Sequence, residues 1–167
     1  MFAIRLVKTA MVASTALFAL LVAYNNLADY NSNYEFVRRT LSMDTTFPDN
    51  ALKGRAITSP ILWMLAYWSI ILAEAATGLV LAYGAFRLMR ALRAPAAVFA
   101  AGKPYVVIGV GLGFLVWFTG FMVVGGEWFL MWQSRTWNGQ EAAFRFYMTL
   151  MAVGIFVCLK DGELTEA

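Results

Sequence analysis

Residues 61–86 read ILWMLAYWSIILAEAATGLVLAYGAF, an apolar run with a single charge, Glu74, near its centre. A helix rises about 1.5 Å per residue, so roughly 20 apolar residues cross ~30 Å of hydrocarbon, and this stretch is long enough to span a bilayer. Its start is well marked. Ser59 is a capping residue type and Pro60 occupies the first helical position, where the missing N–H loses nothing. Three blocks of the same kind accompany it, at 4–24, 104–124 and 141–159. Across 167 residues the chain is 61% hydrophobic and 14% charged, too little charge for the surface of a soluble domain. The expectation is an all-α membrane protein: four transmembrane helices in one bundle, a single domain over 1–167, with outer loops 25–60 and 125–140 and an inner loop 87–103.

Two features of the first block need separate readings. Its charged start and apolar stretch resemble a secretory signal, but Leu21-Val22-Ala23 is a poor small-x-small cleavage site, so it is read as a retained span. Arg5 and Lys8 in its first turns are expected to snorkel to the interface. Orientation follows from basic residues near the span ends. Arg5, Lys8, Arg87, Arg90, Arg93, Lys103 and Lys160 lie on one side, and the 87–103 loop carries four of them with no acid. The other side carries Arg38, Arg39, Lys53, Arg55, Arg135 and Arg145 diluted by six acids. Both termini are therefore expected in the cytoplasm.

The inventory removes many functions. With no histidine, His-ligated haem, histidine-based zinc or iron sites and His-dependent nucleophilic catalysis are excluded, and no cofactor is called for. The one cysteine, Cys158, sits in an apolar run and reads as a packing residue. A net charge of +3 does not imply nucleic acid, because the basic residues lie beside apolar blocks as topology signals.

The outer loops are the expected recognition surface. Residues 25–60 are too long for a plain connector. Ser32-Asn33-Tyr34-Glu35 fits a capping box, placing Phe36, Val37, Thr40 and Leu41 on one face of a short amphipathic helix. Residues 44–50, Asp-Thr-Thr-Phe-Pro-Asp-Asn, read as consecutive turns; Asp44 and Asp49 do not have calcium-loop spacing and are assigned turn and capping roles, so no metal is expected. Residues 125–140 hold Trp128, Trp132 and Trp137, an interfacial aromatic belt or an aromatic pocket for a quinone, lipid or partner helix.

Inside the membrane Glu74 is the most informative residue. A charge at that depth costs roughly 2.5–3.5 kcal/mol to insert. No basic residue lies at matching depth, so a neutral, hydrogen-bonded carboxyl is expected, with Tyr67 and Thr77 on its face as partners. Two roles stand open: a proton or cation site, and interhelical glue. Arg145 is expected to pair with Glu141 four residues earlier, with Glu127 as another partner. Gly109, Gly113 and Gly120 form a small-residue stripe on the third span, matched by Ser69, Ala73 and Thr77 on the second, and the stripes are expected to face each other.

The stretches 25–30 (NNLADY), 41–48 (LSMDTTFP), Arg55-Ala56-Ile57, 126–134 (GEWFLMWQS) and 137–141 (WNGQE) resemble a bacterial family of small integral membrane proteins, domain-of-unknown-function family twenty-one sixty-five. The resemblance implies a bacterial four-span membrane protein and supplies no catalytic residues; the membrane expected is the bacterial inner membrane. Together these readings lead to a non-enzymatic accessory or assembly subunit. In the bilayer it would meet a membrane-protein partner, or a second copy of itself, through Glu127, Trp128, Trp132, Trp137, Glu141, Arg145 and Asp44. The alternative is a small proton-coupled transporter or channel using Glu74.

Overall fold

The structure is a computed structural model that describes residues 1–164. Four helices in it are long and apolar enough to cross a membrane, and the described residues contain no β-strand. In chain order, α1 is Phe2–Ala28, α2 Tyr30–Ser42, α3 Pro60–Arg90, α4 Ala96–Ala100, α5 Lys103–Phe114 and α6 Gln140–Cys158. α5 runs without a break into a π-helix, Leu115–Trp128, and 3₁₀ turns occupy Lys53–Arg55 and Met131–Gln133. This is an all-α membrane bundle.

α3 is the central helix. Its 31 residues span about 46 Å, more than the ~30 Å that the hydrocarbon needs. α1 packs on one side of it and α5 on the other, α6 packs on α5, and α6 returns to α1 to close the ring. Small residues set the close approaches. A Cβ on Gly78 of α3 would lie 2.9 Å from the Leu20 backbone nitrogen of α1, so the two helices are in backbone contact there. On the other side of α3 the antiparallel pairs are Thr77 with Gly113, Leu81 with Gly109, Gly84 with Val106 and Leu88 with Gly102. Where side chains vanish, backbones approach and dispersion contacts replace the hydrophobic drive that lipid does not provide.

Several local expectations are corrected. Only Asp29 separates α1 from α2, so the connection between the first two spans is helical almost from its start. The capping box does not form. Ser32 lies inside α2 and its hydroxyl donates to Asp29 Oδ1 at 3.0 Å, while Glu35 accepts from Arg38 and Arg39. A pair of arginines one turn away outcompetes the backbone for the carboxylate. α2 folds back onto α3, seating buried Val37 and Leu41 with Tyr67 and Ile71. The third span changes to π geometry halfway along, and Phe129 N–H donates to the Val124 carbonyl five residues back. Such runs are normally single turns found at functional sites.

Arg5 and Lys8 do not snorkel; both are fully buried at the end of the bundle that carries the chain's first residues. Arg5 donates to the carbonyls of Leu92, Ala94 and Gly162, and Lys8 to the Leu159 carbonyl and to Asp161 Oδ1 at 2.8 Å. Lys103 approaches the second Asp161 oxygen at 2.5 Å. Residues 159–162 fold back over this end and supply the acceptors that the cations would otherwise have sought in headgroups. In the first turn of the π-helix, Trp117 packs against Phe18 and Phe146, and the core between the two ends is filled by apolar side chains.

Candidate functional site

Two sites emerge at the end of the bundle away from Arg5 and Lys8, one inside the helices and one capping them. The inner one centres on Glu74, which is 2% exposed. Its Oε2 accepts a hydrogen bond from Asn26 Nδ2 at 2.6 Å, and the Asn26 carbonyl accepts from the Tyr67 hydroxyl at 2.7 Å. Asn26 stands on the last turns of α1, and Glu74 and Tyr67 lie two turns apart on α3, so one amide residue joins both. Thr77 takes no part: its hydroxyl donates to the Ala73 carbonyl four residues back, the ordinary outlet for a threonine within a helix. Asn26 is the residue that the sequence reading missed. Its signal was an Asn-Asn pair closing an apolar block.

A cavity of about 150 Å³ adjoins Glu74, walled by Asn26, Tyr67, Trp117, Phe121 and Phe146 among others. The π-helix brings Trp117 and Phe121 to it. Next to this cavity, beneath α2, lies an apolar slot of about 200 Å³ reached by Thr40, Ser69 and Gly120. Ser69 and Gly120 thus border a space rather than a helix contact. Gly109 and Gly113 are sealed against Leu81 of α3 and Leu150 of α6, and Ala73 packs at the edge of the core.

The cap is built from the 25–60 and 125–140 segments. Phe47 N–H donates to Gln133 Oε1 at 3.1 Å and Phe47 meets Trp132 edge-on. Arg55 lies over the Trp128 ring at 4.5 Å and donates to its carbonyl. Trp137 is half-buried against Phe36 of α2. Met43 and Leu130 hold left-handed backbone at φ 51° and 53°, unusual for apolar side chains, and both are buried in the cluster beneath the cap. Asp44 is engaged by Arg39 at 2.7 Å and Arg38 at 3.8 Å. Hydrogen bonds from Arg38, then from Arg39, outweigh burial and hold Glu35 down to about 2. Arg145 pairs with Glu141 at 2.8 Å on the exposed face of α6, and Glu127 is exposed and joins no ion pair among the described residues. No group of three metal-ligand residues comes together among the described residues.

No curated protein and no solved structure matches the chain. The model of a family described as a predicted small integral membrane protein, DUF2165, matches residues 4–160, nearly the whole chain, and the protein belongs to that family.

Proposed function

We propose that this protein is a non-enzymatic accessory subunit that docks onto a larger membrane complex through its cap, with both termini in the cytoplasm of a bacterial inner membrane. The observation that carries this reading is the exposure of Phe47, Trp128 and Trp132, each about half open, on a cap whose backbone is tied across its two segments. Rigid, half-exposed aromatic rings lose little entropy on docking and bury large areas, the properties of interface anchors. Photo-crosslinking groups placed at Trp132 and, as a control, at lipid-facing Leu79 test it in native membranes. One discrete partner crosslinked from Trp132 and lost in Trp128→Ala is the expected result. A crosslinked second copy of the chain would replace docking by self-association, and equal labelling from Leu79 would remove the cap from consideration.

A proton- or cation-coupled carrier is favoured by one observation, a buried carboxyl beside a cavity. The packing of Trp117, Leu81, Leu88 and Val12 between that cavity and the buried Arg5–Lys8 end speaks for the subunit reading. Flux in proteoliposomes that Glu74→Gln abolishes would reverse the choice.

A further inference from the structure

The Glu74 cavity and the slot beside it have features that docking at the cap does not account for. Glu74 Oε2 is taken by Asn26, but Oε1 accepts no hydrogen bond from any described residue, and no basic side chain lines the cavity. A carboxyl removed from water is costly without a counter-charge or a proton. The walls around it are aromatic, with Trp117 and Phe146 meeting edge to face at 5.7 Å and Tyr67 and Phe121 completing the enclosure. Ring faces attract cations, most strongly where water is excluded.

An inorganic cation is poorly served here, because calcium or magnesium wants six or so oxygens. The wall offers one free carboxylate oxygen and the side-chain amide oxygens of Asn26 and Asn33, short of such a set, and the Asn26 backbone carbonyl is already bonded to Tyr67. An organic ammonium needs only the charge and the rings. The adjoining slot shares Phe36, Val37, Ile70 and Phe121 with the cavity as a common wall, and its lining is almost wholly apolar. Within it the Thr40 hydroxyl is buried without a hydrogen-bond partner. A head site and a tail site thus lie side by side, at a depth that a membrane-dissolved molecule reaches.

We infer that this is a binding site for an amphiphilic organic ammonium, its amine head against Glu74 and the aromatic walls and its apolar tail in the slot beneath α2. The site stands independently of the docking reading. Native mass spectrometry of the full chain released from maltoside micelles tests it, with decyltrimethylammonium as probe and decyl sulfate and decanol as matched controls. The expected result is one decyltrimethylammonium per protein, little uptake of either control, and occupancy lowered about tenfold or more in Glu74→Gln, which keeps the acceptor for Asn26. Wild-type uptake by Glu74→Gln, or equal uptake of decyl sulfate or decanol, overturns it. Ala142→Phe guards against a misfolded Glu74 variant, since Ala142 is exposed and lines the cavity. It should fill the entrance and lower occupancy similarly, and unchanged binding in it also overturns the site.

Discussion

Asp161 sits between two lysines with almost no solvent, and that arrangement makes it the residue on which the buried end of the bundle depends. Burial alone would raise its carboxyl, but the ammonium groups of Lys103 and then Lys8 beside it prevail and hold it below the usual carboxylate range. Removing one partner of a buried pair leaves the other charge uncompensated, so Asp161→Asn should lower stability by about 3–5 kcal/mol at pH 7. The sign with pH follows from the depressed value. The stabilisation is present above the ordinary aspartate range, near pH 4, and disappears as pH falls through the folded-state value. Thermal unfolding in detergent should therefore show the wild type and Asp161→Asn converging below about pH 4. At Glu74 the contrast is between isostere and truncation. Glu74→Ala strands the Asn26 amide and should cost about 1–3 kcal/mol, whereas Glu74→Gln, still accepting from Asn26, should melt close to wild type. An equal loss in both variants would mean that a neutral amide cannot replace the carboxyl as the acceptor that joins α1 to α3.

At the scale of elements, the glycines separate contact from mere composition. Gly78 meets the Leu20 backbone, which cannot rotate away, so Gly78→Ala must force α1 from α3 at about 1–3 kcal/mol. Gly111 has nothing within 4 Å of a new Cβ, and Gly111→Ala should melt within about 0.5 kcal/mol of wild type. Paired melting curves check both. Apolar length made the four spans legible, because each run must cover the hydrocarbon whatever it packs against. Which stripe meets which helix was only partly legible. Gly109 and Gly113 do lie on a contact face, yet their neighbours are Leu81, Thr77 and Leu150, and Ser69 and Gly120 border the slot instead. Helix rotation decides such pairings, and the π turn of the third span re-aims every residue after Phe114 relative to an α-helical reading.

For the whole molecule, the proposed orientation predicts that a cysteine introduced at Arg93, in a background with Cys158 replaced, is blocked by membrane-impermeant maleimide only after cells are opened. A cysteine at Thr136 should be labelled in intact cells, and the reverse pattern would invert the protein. Hydrophobic length, the absence of histidine and the lone cysteine already settled an all-helical membrane protein without histidine chemistry, since these follow from composition and from the thickness of a bilayer. The partner of Glu74, the burial of Arg5 and Lys8 under residues 159–162, and the joined cavities beneath α2 came only with the tertiary structure. Each depends on bringing together residues some 50 to 160 positions apart, such as Asn26 with Glu74 and Arg5 with Gly162. Periodicity along one helix says which residue types share a face, whereas the contact across to another helix depends on that helix's rotation and depth, which the packing of the whole bundle sets.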